Sequence, residues 1–417
     1  MTPSAFSSLF IAALLLATLG KLWLARRQIA FVAAHRTEVP AAFRDRIDLA
    51  AHQKAADYTS AKTRLTMLSA LFETLVLSAF TLGGGIQFLA DTWTHLQLFS
   101  GSPLLQGIAI IASTLLISAL LDAPFDLYRT FVIEARFGFN RITLKLYLAD
   151  ALKSLLLGIA LGLPLLAGVL WLMGRMGANW WLYVWCVWVA FNLLLLFIYP
   201  SFIAPLFNKF MPLQDEAMKT RIEALLKKCG FSAGGLFVMD GSKRSAHGNA
   251  YFTGFGKTKR IVFFDTLLSR LAPDEIDAVL AHELGHFKHR HVLKRIVSTF
   301  LLSLAFLWLL AQLMQADWFY LGLGVTSQST ALALLLFFMV LPVFGFLLQP
   351  LTAAWSRRHE FEADAYAAQQ TDGHALASAL VKMYQDNAAT LTPDPLYSAF
   401  YDSHPPAPVR IARLQSV

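Results

Sequence analysis

Two histidines and a glutamate are spaced as in a metal site that activates water. The stretch AHELGHFKHRH runs from Ala281 to His291 and places His282 and His286 four positions apart. On a helix these side chains share one face, and two imidazoles there can bind one zinc ion at about 2.0–2.1 Å. Glu283 lies beside the pair, where its carboxylate can take a proton from zinc-bound water. The alternative is a chance match on a solvated helix face.

A third metal ligand has to come from another part of the chain. The stretch SRRHEFEADAYA, residues 356–367, places Glu360 and Asp364 four positions apart. Glu360 is the predicted third ligand, and Asp364 is predicted to accept the outer N–H of a zinc-bound histidine, which fixes the tautomer of that ring. Spacing alone does not separate Glu360 from Glu362, but Glu362 has a tyrosine rather than a carboxylate four positions later. The alternative is a charged amphipathic helix without a metal.

The composition indicates a polytopic membrane protein. Of the 417 residues, 56% are hydrophobic and 15% are charged, whereas soluble domains are about half apolar and about a quarter charged. The last apolar stretch contains Pro342 and Pro350 and is expected to be kinked or broken. Seven stretches reach the length of about 20 residues that a bilayer-spanning helix needs, and they are 4–24, 65–90, 103–124, 151–173, 179–199, 294–315 and 329–353.

The distribution of basic residues predicts the orientation. Segments 25–64, 125–150 and 200–293 are rich in Lys and Arg, whereas 91–102 and 316–328 contain neither. By the positive-inside rule the N-terminus lies outside and the C-terminus in the cytoplasm. The net charge of +8 is not gathered in a basic run interleaved with aromatic residues, so no nucleic-acid partner is predicted. Four parts follow: membrane helices 1–5 in 1–199, a cytoplasmic metalloprotease region in 200–293, membrane helices 6–7 in 294–353, and a cytoplasmic region in 354–417 that completes the zinc site.

The polar region before the motif is predicted to contain a small sheet followed by a helix. Residues 213–230 form an amphipathic helix that stops at a glycine, and GLFVMDG and RIVFFDTLL form short strands. SAHGNAYFTGFG, between them, forms a strand or hairpin with glycines at its turns. The motif helix begins near Pro273, and its apolar side consists of Ile276, Val279, Leu280 and Leu284.

Two further histidines follow the motif. His289 lies seven positions after His282, about 10 Å along a helix axis, which is too far for a shared ion. A metzincin site would need glycine at position 289 and histidine at position 292, where this chain has His289 and Val292. We therefore expect His289 and His291 to be polar residues near the membrane surface.

Six stretches together resemble a known family. They are EARFGFNRIT (134–143), YPSFIAPLFNKFMPL (199–213), SAHGNAYFTGF (245–255), AHELGH, RRHEFEADAYA and DSHPPAPVRIARL (402–414). In these stretches and in their order the chain resembles the CAAX prenyl protease 1 family, the Ste24-type zinc metallopeptidases of the M48 class. The resemblance covers nearly the whole chain.

The resemblance implies roles for residues beyond the zinc ligands. Asn249 matches a position that holds the substrate main chain along an edge strand. His404 and Arg410 match residues that stabilise the oxyanion of the tetrahedral intermediate, where a donor near the developing charge contributes several kcal/mol. The alternatives are a turn residue at Asn249 and an ordinary basic surface residue at Arg410.

The resemblance also implies the fold class and the function. The expected fold is an α-helical polytopic membrane protein whose seven transmembrane helices form an α-barrel-like, water-filled chamber, joined to a cytoplasmic gluzincin-type zinc metalloprotease domain. Glu73, Asp122 and Asn192 fit the lining of such a chamber, and the alternative is that they form hydrogen bonds between helices. The expected activity is that of a zinc metalloendopeptidase with one Zn²⁺ per chain, acting on membrane-associated or prenylated-type peptides. Its partners are this peptide or protein substrate, with or without a lipid, and the bilayer. Independently of the resemblance, the Ala/Leu-rich composition and the lack of an evident retention signal favour a bacterial inner membrane.

Two other functions fit parts of the pattern. A site-2-type intramembrane protease also carries HELGH, but the following FKHRH would be costly in hydrocarbon. A non-enzymatic metal transporter would need polar ligands near the middle of its spans, whereas the histidines here cluster in polar segments. Such a carrier also has no need of Glu283.

Overall fold

The computed structural model of the protein describes residues 1–232, 234–253 and 260–415. Its helices in chain order are α1 (Pro3–Ala34), α2 (Leu49–Phe80), α3 (Gly85–His95), α4 (Pro103–Tyr128), α5 (Leu144–Leu157), α6 (Leu163–Arg175), α7 (Trp180–Ile198), α8 (Ala204–Phe207), α9 (Glu216–Lys228), α10 (Asp265–Leu268), α11 (Pro273–Lys288), α12 (His291–Leu313), α13 (Asp317–Leu321), α14 (Thr330–Gly345), α15 (Gln349–Gln370), α16 (Gly373–Asp386), α17 (Pro395–Tyr401) and α18 (Ala407–Gln415). Its strands are β1 (Phe210–Pro212), β2 (Gly235–Met239), β3 (Ala250–Thr253) and β4 (Arg260–Phe264).

The predicted number of membrane spans is confirmed. By length and composition, seven helical units of the described residues can cross a bilayer: Pro3–Ala34, Leu49–Phe80, Pro103–Glu134, Leu144–Arg175, Gly177–Phe207, His291–Leu313 and Thr330–Gln370. The first two units have 32 residues each, or about 48 Å of helix, against a hydrocarbon thickness of about 30 Å. Helices α1 and α2 therefore extend beyond the membrane. The segment between them, which contains Phe43, packs against the sheet and α11 in the part of the protein outside the membrane, here called the polar domain.

The predicted end of the second span is wrong. We expected one helix through residue 90, but α2 ends at Phe80 and α3 begins at Gly85. Gly84 has a φ of +75°, a conformation that side chains with a Cβ rarely adopt. A Cβ at Gly83 would lie 2.8 Å from the carbonyl oxygen of Ala79. The three consecutive glycines therefore reverse the direction of the chain. The apolar residues on both sides of them look like one continuous span in the sequence.

The predicted break in the last span is confirmed. Helix α14 ends at Gly345, a 3₁₀ turn covers Phe346–Leu348, and α15 begins at Gln349 with Pro350 in its first turn. Proline lacks the N–H that would continue the helical hydrogen bonds, and it is tolerated in a first turn. The stretch that carries Glu360 therefore belongs to a separate helix, α15.

A four-stranded sheet precedes the motif helix, as predicted. Its strand order is β1-β2-β4-β3, with β2 and β4 parallel and the other pairs antiparallel. Strand β3 lies at one edge of the described sheet. The predicted strands GLFVMDG and RIVFFDTLL contain β2 and β4, and the predicted helix at 213–230 is α9. Two glycines of the predicted hairpin, Gly254 and Gly256, lie outside the described residues.

The apolar side of the motif helix packs into the core of the polar domain, as predicted. Ile276, Val279, Leu280 and Leu284 of α11 are all buried. They share one core with residues of α9, β4, α16 and α18. Burying such a side chain contributes about 1.5–3 kcal/mol. This packing orients the opposite side of α11, with its histidines, toward α15.

Acidic side chains of two membrane helices line one cavity, as a hydrated interior requires. Glu73 of α2 and Asp122 of α4 border a cavity of about 250 Å³, together with Lys21 of α1. Ionisable groups inside a membrane usually face a water-filled space or one another. Asn192, the third residue expected in such a lining, donates instead to the carbonyl of Trp188 in its own helix, at 2.7 Å.

Candidate metal site and its surroundings

Three side chains bring their metal-binding atoms together between α11 and α15. His282 Nε2 lies 3.2 Å from His286 Nε2, and it lies 3.4 Å from Glu360 Oε2. His286 Nε2 lies 3.3 Å from Glu360 Oε1. Ligands about 2.0–2.1 Å from a tetrahedral zinc ion are separated by about 3.3 Å. The spacing of these three residues therefore fits one zinc ion.

A buried carboxylate oxygen at this site has no hydrogen-bond donor among the described residues. Glu360 is 4% exposed, and its Oε2 accepts no hydrogen bond from the described residues. Leaving a buried charged oxygen unpaired is costly. Burial lowers the pKa of His282, but Asp364 and Glu360 outweigh this effect and raise it to about 9. The site therefore has a strong preference for positive charge, which a bound cation would satisfy.

The glycine of the motif allows α11 and α15 to approach closely. A Cβ at Gly285 would lie 2.9 Å from Ala363 Cα and 3.1 Å from the carbonyl oxygen of Ala363. Backbone atoms cannot rotate out of the way as a side chain can, so any larger residue here would push the helices apart. The contact explains how Glu360, on α15, comes within reach of both histidines.

Asp364 and Arg410 lie behind His282. Asp364 Oδ1 is 2.8 Å from His282 Nδ1, which leaves His282 Nε2 free to face the metal position. Arg410 of α18 donates to both oxygens of Asp364, at 2.8 and 2.6 Å, and it is 5% exposed. Burial lowers the pKa of Arg410, but the contact with Asp364 outweighs it, so this pKa lies above its ordinary value. The direct partner of Arg410 is therefore Asp364, and Arg410 Nη1 lies 3.8 Å from Glu360 Oε2.

Glu283 lies next to the first histidine and is not one of the three converging residues. Burial raises its pKa, and this effect exceeds the opposite influence of the His282 and His286 imidazoles. A carboxylate with a raised pKa is a stronger base. Glu283 is therefore suited to accepting a proton beside the metal position.

His404 borders the same site from the segment between α17 and α18. Its Nε2 lies 3.4 Å from Glu360 Oε1, and its Nδ1 lies 3.0 Å from Ser403 Oγ. The His404 side chain is 61% exposed, but the protein atoms packed around its ring lower the pKa of His404, which favours the neutral ring. If the Ser403 hydroxyl donates to Nδ1, then Nε2 carries the proton and can donate toward the site.

Asn249 is exposed and immediately precedes the edge strand β3. Its carbonyl oxygen accepts from Phe264 N at 3.0 Å, and its side-chain Oδ1 accepts from Ala250 N at 2.9 Å. No hydrogen bond or ion pair connects it to His282, His286 or Glu360 within the described part of the chain. The structure thus places Asn249 on the edge strand without direct contact to the other predicted site residues.

The segment before β3 is held by the loop that follows the third span. Ser245 pairs with Asn140 in an antiparallel bridge, and Ala246 N donates to the Phe139 carbonyl at 3.1 Å. His247 Nε2 lies 3.5 Å from Glu134 Oε2. Two of the stretches that carried the resemblance, EARFGFNRIT and SAHGNAYFTGF, are therefore neighbours in space, and the membrane helices influence where the edge strand lies.

His291 makes contacts that its spacing does not predict. It is the first residue of the span His291–Leu313, in keeping with a polar residue near the membrane surface, but it is 4% exposed. Its Nδ1 lies 3.0 Å from His286 Nδ1 and its Nε2 lies 2.9 Å from Glu362 Oε2. Between α11 and α12, Arg290 adopts a φ of +57°, so His291 folds back toward His286. A spacing of five residues is not a helical face, which is why periodicity missed this contact.

Replacing His291 with alanine is expected to weaken zinc binding about 10–100-fold, because His286 loses the group that orients its ring. The measurement is competition with a zinc chelator of known affinity, made on the detergent-purified protein. His374→Ala removes an exposed histidine of α16 and is expected to bind zinc as the unmodified protein does. Equal zinc affinity in a folded His291→Ala protein would show that the contact is incidental.

Comparison with known proteins covers nearly the whole chain. Residues 28–209 match the family described as CAAX prenyl protease N-terminal, five membrane helices, and residues 212–417 match peptidase family M48. The chain is similar to CAAX prenyl protease 1 of Saccharomyces cerevisiae, with 33% identity over 407 residues, or 91% of this chain and 89% of that protein. It is also similar to the CAAX prenyl protease 1 homolog of Oryza sativa subsp. japonica, with 38% identity over 324 residues, or 77% and 76% of the two chains.

A solved structure has the same fold. The crystal structure of S. mikatae Ste24p superposes on this chain with a TM-score of 0.90, at 31% sequence identity. The superposition covers 98% of each chain. The likeness therefore includes both the membrane helices and the polar domain.

Proposed function

Because this chain belongs to the CAAX prenyl protease 1 family of M48 peptidases, we propose that it is a zinc-dependent endopeptidase for membrane-associated peptides. The resemblance inferred from the sequence is confirmed, and the protein is a multi-pass integral membrane metalloprotease.

One observation carries the proposal of zinc: the convergence of His282, His286 and Glu360 at separations of 3.2–3.4 Å. Two imidazoles and one carboxylate are the ligands of known catalytic zinc sites, which keep a fourth position for water or substrate. Glu360 Oε2, which accepts no hydrogen bond from the described residues, supports the same proposal, because a cation would satisfy it. We therefore propose one zinc ion per chain.

The residues around the metal position have different roles in hydrolysis. When bound, the zinc ion polarises the scissile carbonyl and makes a water molecule more acidic. Glu283 accepts the proton of the attacking water and passes it to the nitrogen of the leaving amine. Asp364 holds His282 by its Nδ1–H, and His404 donates from Nε2 to the developing oxyanion. Arg410 keeps Asp364 ionised and in place.

The edge strand β3 is the proposed binding surface for the substrate main chain. An edge strand has unpaired N–H and C=O groups, and an extended peptide can add to it as a further strand. Asn249 stands at the start of this strand, where its side chain can hold the peptide. The relatives above are named for CAAX prenyl substrates, and we propose the same class here, a membrane-associated peptide with or without a lipid.

The orientation proposed from the basic residues gains support from the core. Phe43, from the first basic segment, shares one buried cluster with Ile222 and Ile276 and with Leu376 of the C-terminal region. This shared core supports a topology in which segments 25–64, 200–293 and 354–417 lie on the same side of the membrane. We propose that this side is cytoplasmic and that the N-terminus lies outside. The bacterial inner membrane stays a prediction from composition.

Metal analysis combined with peptide cleavage tests the proposal. The detergent-purified protein is expected to contain one zinc per chain and to cleave an internally quenched peptide. A zinc chelator is expected to abolish cleavage, and stoichiometric zinc to restore it. A zinc-free protein that cleaves the peptide, or a zinc-loaded protein that cleaves none of a series of membrane-associated peptides, would contradict the proposal. The second result would favour the metal transporter.

A further inference from the structure

A polar cavity adjoins the candidate metal site. It has a volume of about 500 Å³, within the range of about 300–1,000 Å³ that small-ligand pockets occupy. His404, whose Nε2 lies 3.4 Å from Glu360 Oε1, forms part of its wall. The remaining wall comes from α1, α2, α16, α17 and the segments that connect them. A peptide bound at the metal site can therefore extend into this cavity.

One face of α2 contributes a single cation to the cavity. Thr59, Lys62, Thr63 and Thr66 line it, and their spacing places them on one side of a helix. The hydroxyls of Thr63 and Thr66 already donate to carbonyls of α2, at 2.8 and 3.1 Å. The ammonium of Lys62 has three hydrogens, and it donates none of them in a hydrogen bond to another of the described residues. Lys62 is therefore the charged donor on this face that is available to a ligand.

Lys62 lacks an ion-pair partner in the described part of the chain, where no carboxylate oxygen lies within 4.0 Å of its Nζ. Its side chain is exposed, and its Nζ lies 3.9 Å from the centre of the Tyr58 ring. The carboxylate of the nearby Glu134 already has two other partners. It accepts a hydrogen bond from the Tyr58 hydroxyl, and its Oε2 lies 3.5 Å from His247 Nε2. Asp402 also lies in the cavity wall, and burial raises the pKa of its carboxyl group. The ionised form of Asp402 is therefore disfavoured, which makes it a weaker partner for the ammonium of Lys62.

We propose that Lys62 binds the C-terminal carboxylate of the peptide substrate. Every peptide with a free C-terminus carries this anion whatever its sequence, whereas an acidic side chain would demand a particular residue. An ammonium–carboxylate hydrogen bond is among the stronger polar contacts. Since the cavity adjoins the metal site, this contact would select peptide bonds a few residues from the C-terminus. The inference rests on the proposed peptidase function and adds a carboxylate-binding subsite to it.

Paired substrates test the subsite. Two peptides of one sequence, one ending in a free carboxylate and one in a carboxamide, are compared with the zinc-loaded protein. The unmodified protein is expected to show about a tenfold lower KM for the free acid, with similar kcat. Lys62→Met is expected to raise the KM of the acid to that of the amide and to leave cleavage of the amide unchanged. Lys62→Arg is expected to keep part of the preference.

Lys54→Met is the matched control. Lys54 lies on the same helix, is also exposed and also stands over an aromatic ring, at 4.9 Å from Phe139, but it does not line the cavity. This variant is expected to keep the full preference for the free acid. Equal KM values for the two peptides with the unmodified protein, or a preference that survives Lys62→Met, would overturn the inference while leaving the peptidase function intact. Failure to cleave either peptide would count against the peptidase function itself.

Discussion

Glu283→Gln is expected to keep its zinc and to lose peptide cleavage by about 10²–10⁴-fold, the usual contribution of a general base. Glutamine has nearly the same shape as glutamate, so the packing of α11 should persist. Its neutral amide cannot accept the proton of the attacking water. Since the convergent donors are His282, His286 and Glu360, the metal position keeps its ligands. Zinc per chain and kcat on the same preparation separate the two properties.

Glu223→Gln is a suitable control, because Glu223 is an exposed glutamate of α9 outside the site. Its zinc content and kcat are expected to equal those of the unmodified protein. If Glu283→Gln holds zinc and still cleaves at the original rate, another group is the base and the proposed mechanism fails. If it loses zinc, Glu283 is a ligand or a structural residue instead.

Glu360→Ala is expected to lose zinc rather than to slow a zinc-loaded enzyme. The variant leaves two imidazoles for the metal, and we expect the affinity to fall by more than the factor of about 10–100 that is typical of residues behind the ligands. Chelator competition measures the affinity. Thermal unfolding with and without added zinc gives a second readout, because a ligand that binds only the folded protein stabilises it. The unmodified protein should gain stability with zinc, and Glu360→Ala should gain little.

Glu362→Ala provides the comparison within the same helix. Glu362 reaches the metal position only through His291, to which it lies at 2.9 Å. Its loss should therefore weaken zinc binding less than the loss of Glu360. Equal zinc affinity in Glu360→Ala and the unmodified protein would remove Glu360 from the ligand set. A larger loss in Glu362→Ala would exchange the roles of the two glutamates.

Features that depend on neighbouring residues could be predicted from the sequence. The apolar stretches predicted seven spans because a bilayer demands about 20 apolar residues in a row. Ile276, Val279, Leu280 and Leu284 predicted the buried side of α11 because a helix repeats every 3.6 residues. The same period places His282 and His286 together, at 3.2 Å between their Nε2 atoms. The error in the second span has a local cause as well, since hydropathy does not register the reversal at Gly84.

Features that join distant parts of the chain were decided by the tertiary structure. Spacing left Glu360 and Glu362 as rival ligands. The packing of α15 on Gly285 points Glu360 at the histidines and Glu362 at His291. The burial of His291 depends on a left-handed residue between two helices, which no periodic pattern reports.

The proposed substrate-binding region also depends on tertiary contacts. Residues 139–141 lie against 244–246, and Lys62 of the second span shares a cavity with His404 near the C-terminus. The sequence by itself predicted which residues could carry the chemistry and determined which segments are apolar enough to enter the membrane, because both follow from side-chain type and short-range period. Only the tertiary structure decided which side chains meet, because such contacts depend on how helices far apart in the chain pack against one another.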